Sequence, residues 1–140
     1  MANDAIGQTE VAGSHAHWLL RFALASVFLF MGFDKFMGGG IGAFAGMMDM
    51  PVFIAALVAL SEIGAGVFVV IGAFAGPVYG SLITRLGALM TLPVMFGAVF
   101  MVHWGQWHFM PTASHPMGGM MFQITLIMLA LYLLARGNNA

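Results

Sequence analysis

Arg21, Lys35, Glu62, Arg85 and His103 are ionisable residues that stand inside or at the ends of otherwise apolar runs. Their spacing is helical. In "RFALASVFLFMGFDK", Arg21, Ala25, Phe28, Gly32 and Lys35 recur at alternating four- and three-residue steps and share one stripe. Ala55, Ala59, Glu62 and Gly66 form a second stripe, with the carboxyl among small residues. Arg85, Ala88, Leu92, Val99 and His103 form a third, because the eighteen residues from Arg85 to His103 make about five turns. All three stripes can face one another as an inward polar seam. Within lipid an unpaired carboxylate costs roughly 2.5–3.5 kcal/mol or more, so Glu62 must be paired, neutral or hydrated. Helix rise places Arg85 about 12 Å and Glu62 about 20 Å above the same boundary, a gap that a long side chain nearly covers. A Glu62/Arg85 pair is therefore expected, with Arg21 or Lys35 the partner to test if that pair fails. The plainer role is an ion pair that fixes helix packing. The sharper one is a protonatable carboxyl beside a quinone or proton path, with Glu62, Arg85 and His103 as its contacts.

A second constellation lies in "VFMVHWGQWHFMPTASHPMGG", which holds His103, His108 and His115 beside Trp104 and Trp107. Tryptophan gathers where a membrane meets water, and histidines are natural polar partners there. The alternative is a copper site of His103, His108, His115, Met110 and Met117, since imidazole and thioether suit that metal and thioether favours Cu(I). Methionine also fills helix interfaces as a flexible apolar side chain, and the interfacial reading is preferred, with no metal site favoured. Haem is excluded by placement, because His15 and His17 fall at the opposite face from His103. No cysteine is present, so thiol chemistry and disulfides are absent.

The elements that must position these residues follow from composition. Of 140 residues, 61% are hydrophobic and 6% charged, against about 25% charged in soluble domains. Such a chain must place apolar surface in lipid. Four apolar segments, 18–37, 51–75, 78–102 and 117–135, each approach the ~20 residues that cross a hydrocarbon core. The expected fold is an all-α, four-transmembrane-helix bundle in a single domain over 18–136, with a mobile tail over 1–17 and a short tail over 137–140. Arg21, Arg85 and Arg136 fall on the side of the termini and Lys35 on the other, which favours an N-in, C-in orientation. The stretch before Trp18 lacks the basic region of a signal peptide, so the first span is expected to remain as a helix. The hexapeptide "IGAFAG" occurs at 41–46 and 71–76, but the copies fall at opposite faces and nothing around them matches. The first copy is expected as a loop or short re-entrant turn. A formal net charge of −1 gives no footprint for nucleic acid.

Taken in order, "LLRFALASVFLFMGFDKFMGG" with Arg21, Gly32 and Lys35, "ALSEIGAGVFVVIG" with Glu62, and "TRLGALMTLPVMFGAVFMVH" with Arg85 and His103 resemble the DoxX family of DoxX/DoxD-like small membrane proteins. The resemblance implies a four-helix bundle in the bacterial cytoplasmic membrane, often linked to redox enzymes and quinone-related metabolism. The expected function is then a membrane subunit of an oxidoreductase or respiratory-type system that contacts quinone through the polar seam. A purely structural accessory subunit and a copper-handling protein are the alternatives. No flavin or nicotinamide fingerprint is present, so electrons would have to come from a partner, and catalysis would depend on it. Lipid, other membrane subunits and self-association are the expected partners.

Overall fold

The computed structural model describes the backbone of residues 2–116 and 118–139, and the side chains of 15–116 and 118–139. The chain order is α1 (Ala2–Met37), α2 (Gly40–Met47), α3 (Val52–Ile71), α4 (Pro77–Gly97), a π-helical turn (Ala98–Val102), α5 (Met120–Arg136) and a 3₁₀ turn (Gly137–Asn139). Four helical stretches, His15–Met37, Val52–Ile71, Pro77–Val102 and Met120–Asn139, are long and apolar enough to cross a membrane. They alternate in direction. The start of the first span and the 3₁₀ turn therefore lie at one end of the bundle, called the termini end, where the Arg21 and Asn138 side chains touch. The opposite, loop end carries α2 and the segment 103–119.

Helix ends fall where the backbone dictates. The third helix stops at Ile71, short of residue 75, because Gly72 to Gly76 form a turn that closes on a left-handed Gly76 with φ 79°. The fifth begins at Met120 after Gly118, whose φ of 80° suits glycine far better than an L side chain. At the other side of α1, Gly39 and Gly40 with φ 110° and 81° reverse the chain into α2, so the first "IGAFAG" copy is largely a short helix. As for the tail expected over 1–17, α1 begins at Ala2 and carries His15 and His17, while the side chains of residues 1–14 lie outside the described residues.

Close packing is set by single glycines. A Cβ on Gly32 would stand 2.7 Å from Ile63 Cγ1 and 3.0 Å from the Ala59 carbonyl. One on Gly66 would stand 2.6 Å from Leu29 Cγ, and one on Gly87 2.9 Å from Phe68 Cβ. These contacts bring α1 against α3 and α3 against α4. The Gly42 and Gly46 pair, spaced for a helix contact, meets nothing within 4 Å. Around these approaches Leu24, Phe28, Val69, Met95, Leu126 and Leu133 fill one continuous core. Packing runs α1 to α3 to α4 to α5, and α5 meets α1 only lightly.

Pro93 lies within α4, where it offers no N–H to the ladder, and the helix loosens into the π turn five residues later. The His103 N–H bonds to the Ala98 carbonyl at 3.0 Å and ends the span. Aromatic rings mark both ends. Phe96, Phe100 and Trp104 stack in a ladder at the loop end, while Trp18 packs with Phe22 and Phe74 at the termini end.

Candidate functional site

The five ionisable residues do not form one seam. Arg21, Glu62 and His103 are buried, Lys35 is 12% exposed, and Arg85 is exposed. They divide into separate clusters.

At the termini end Arg21 is fully buried and supplies a clamp. Its Nε donates to His17 Nδ1 at 3.0 Å and one terminal nitrogen to both the Val69 carbonyl at 2.5 Å and Thr84 Oγ1 at 2.8 Å. The other terminal nitrogen donates to Asn138 Oδ1 at 2.6 Å. Asn138 Oδ1 also accepts from Thr84 at 2.9 Å, and its amide donates to the Gly72 carbonyl at 2.9 Å. One guanidinium thus ties α1, α3, α4 and the 3₁₀ turn together through neutral acceptors. Its fork suits that task, because an ammonium could not meet acceptors lying in so many directions.

Towards the loop end, Lys35 Nζ lies 2.7 Å from Glu62 Oε2, with Glu62 only 1% exposed. The Lys35 ammonium also donates to the Met31 carbonyl at 3.2 Å and stands 4.9 Å from the centre of the Phe44 ring. Glu62 does not pair with Arg85, whose guanidinium donates to the Ala135 carbonyl at 3.1 Å near the end of α5. The reason is side-chain direction. Helical side chains tilt towards their own N-terminus. Lys35, at the end of α1, leans back into the bundle, and Glu62 on α3 leans towards the loop end to meet it. Arg85, two turns into α4, leans away from both and towards the termini end.

Beside this ion pair is a cavity of about 140 Å³ lined by Asp34, Lys35, Gly38, Gly40, Ala43, Phe44 and Met47. Its walls come from the end of α1 and from α2. The polar lining is one ammonium and one carboxylate. The rest is aromatic, thioether or glycine.

His103 forms the third cluster. Its Nδ1 lies 2.8 Å from the Gly118 carbonyl, which can only accept, so Nδ1 carries the proton. Nε2 therefore accepts from the Gln123 side-chain nitrogen at 3.2 Å. Gln123 Oε1 is buried with no protein partner among the described residues. The loop is tied to α5 through the Gln106 carbonyl, which accepts from the Met120 N–H at 2.9 Å.

The three loop-end histidines do not converge. The His108 and His115 rings lie 6.0 Å apart, but both nitrogens of His103 are engaged elsewhere. His108 Nδ1 faces the Met110 carbonyl at 2.9 Å and His115 Nδ1 faces Ser114 Oγ at 3.1 Å. Met110 is exposed, and Met117 lies outside the described residues. Among the described residues no group of three His, Asp or Glu is placed to hold a metal ion.

Sequence spacing missed Asn138, Thr84, Gln123 and Phe44. Gln123 had a usable signal, being a polar residue three and four positions from Met120, Leu126 and Ile127 on an apolar helix. Asn138 had none, since its partners lie 54 to 117 positions away, and Phe44 had none because it meets Lys35 only through the chain reversal into α2.

The model of the DoxX family matches residues 16–104, well over half of the chain. The protein belongs to the DoxX family. The matched region takes in α1 from Ala16 onward, α2, α3, α4 and the π turn, and so includes Arg21, Lys35, Glu62, Arg85 and His103. The DoxX match stops before Gln123 and Asn138, the residues that complete the His103 and Arg21 clusters. No curated protein and no solved structure matches the chain.

Proposed function

We propose that this DoxX protein is a multi-pass subunit of an oxidoreductase system in the bacterial cytoplasmic membrane, contacting a quinone while a partner supplies the electrons. The observation that carries this reading is the Lys35–Glu62 pair, a carboxylate and an ammonium held 2.7 Å apart within the bundle beside a cavity. Membrane-embedded ionisable groups are expensive, and they recur where protons or polar headgroups must be handled. Lys35 supplies a donor at the cavity and Glu62, buried behind it, holds that ammonium in place. Of the expected contacts, Glu62 acts through Lys35 and does not itself line the cavity. His103 faces Gly118 and Gln123, and Arg85 faces the end of α5.

Supporting the same reading, the Lys and Arg distribution favours cytoplasmic termini, which puts the cavity, the tryptophans and the histidine loop on the periplasmic side. A reporter fused after Ala140 then labels as cytoplasmic and one inserted near Thr112 as periplasmic. Purification in mild detergent, followed by mass spectrometry and organic extraction, tests the functional assignment. A stoichiometric complex carrying extractable quinone is expected. A chain that purifies alone, with no quinone, overturns it.

A second reading, that of a purely structural accessory subunit, draws support from the Arg21 clamp, a fully buried cation that joins α1, α3, α4 and the 3₁₀ turn. Recovery of the stoichiometric complex without quinone favours that reading.

A further inference from the structure

We infer that the cavity between the end of α1 and α2 is a binding site for one six-membered ring carrying a carbonyl or hydroxyl oxygen. This deepens the quinone reading and rests on it for the natural source of the ring. The cavity itself calls for a ring.

Size comes first. The cavity is about 140 Å³ and half open, and a volume of about 150 Å³ is enough to hold benzene. One ring fits within it. The wall chemistry agrees. Phe44 offers an aromatic ring, and Ala43, Gly38 and Gly40 add no polar side chain to the lining. Offset or edge-on packing of a second ring against Phe44 is favourable at this scale.

Polarity narrows the ligand further. An ammonium has three N–H donors. Those of Lys35 serve Glu62 Oε2 at 2.7 Å and the Met31 carbonyl at 3.2 Å; among the described residues the remaining one meets no oxygen, only the Phe44 ring with its centre at 4.9 Å. A ring oxygen entering beside Phe44 takes that third donor. The Asp34 carboxylate stands at the same site, within 3.7 Å and 3.9 Å of where a Cβ on Gly38 would lie. It can accept from a hydroxyl and repels an anion. The site therefore selects a neutral oxygenated ring, and a phosphate or carboxylate ligand is disfavoured by Asp34.

The ring could arrive as the headgroup of a lipid-soluble quinone or as a free phenol or quinone, and tail dependence separates these sources. The full-length protein in nanodiscs, labelled with ¹³C at methionine methyls, is titrated with 2,3-dimethoxy-5-methyl-1,4-benzoquinone with and without a decyl tail. The Met47 signal, assigned through Met47→Leu, reports on the cavity wall. A saturable Met47 shift is expected. Binding by the tailed probe alone identifies a membrane quinone as the source, and equal binding of both identifies a free ring. Ala43→Phe fills the cavity from an exposed position and should weaken binding at least tenfold without moving the melting temperature. Should Ala43→Phe not fold, the joint replacement Lys35→Met with Glu62→Leu, which removes the third donor without stranding a charge, should weaken binding by a similar factor. A parent Met47 signal that never saturates overturns the inference. Undiminished binding in a folded Ala43→Phe protein also overturns it, while quinone in the extracted complex would leave the wider functional reading standing.

Discussion

Arg21 and Lys35 sit on one stripe of the same helix, yet the structure spends them differently. Arg21 is wholly enclosed, and its hydrogen bonds run to His17, Val69, Thr84 and Asn138, so the guanidinium acts as a joint between helices. Lys35 is partly open, is bound to a charged partner, and borders a cavity. Packing uses four of the five N–H donors of the arginine fork and encloses the group completely. Holding a ligand requires a donor that a ligand can reach, and the lysine has one at the cavity. A polar residue in a membrane bundle is thus read less by its charge than by whether the fold leaves its donors within reach of open space.

The largest loss is expected at Arg21. Arg21→Ala removes one of the largest buried side chains and strips a donor from Val69, Thr84 and Asn138 at once. Thr84 and Asn138 keep their mutual hydrogen bond, but a buried acceptor left short of its donor costs about 1–3 kcal/mol, and the vacated volume adds to that. This replacement should lower the melting temperature in detergent, followed by intrinsic fluorescence, more than any other single change named here. A smaller loss than that of Glu62→Ala would reverse the assignment of roles.

Glu62→Ala comes next. Breaking a buried pair by removing one partner costs roughly 3–5 kcal/mol in soluble proteins, and Lys35 at the end of α1 can relieve part of that by swinging towards water. The joint replacement Glu62→Leu with Lys35→Met should melt much closer to the parent. Equal losses in the single and joint replacements would mean that the ion pair is not what holds the two helices there.

Asn138→Ala sharpens the clamp. It deprives Arg21 and Thr84 of a shared acceptor and the Gly72 carbonyl of a donor, while their other bonds remain. A loss of about 1–3 kcal/mol is expected, below that of Arg21→Ala. Unchanged melting would show that the 3₁₀ turn is not part of the joint.

Arg85→Gln should have the smallest effect, within about 0.5 kcal/mol, as for most exposed replacements. It also discriminates between the two pairings of Glu62. A loss as large as that of Glu62→Ala would restore Arg85 as the partner of the carboxylate.

Much of the fold was legible in the chain, and the reason is physical. Apolar length alone marks a crossing helix, so the four spans emerge within a few residues, and the stripes of Arg21 to Lys35 and Ala55 to Gly66 do turn inward. The third stripe holds at Ala88, Leu92, Val99 and His103 but fails at Arg85, which lies at its edge. Pairing was harder to read. Cα height along a helix gave Arg85 as the nearest cation to Glu62, while the tilt of side chains towards each helix N-terminus gives Lys35. Phe44 and Asn138 depend on how α2 and the 3₁₀ turn fold back, which no local periodicity encodes.

The Arg21–Asn138 contact also has a timing. The two residues are 117 positions apart, and at ~5–20 residues per second the second follows the first out of the ribosome by about 6–23 s. Throughout that interval the first helix holds a guanidinium whose enclosing acceptors are incomplete. The nascent chain must carry this charge near the membrane boundary, where water can still reach it, and draw it inside only when the last helix has been made.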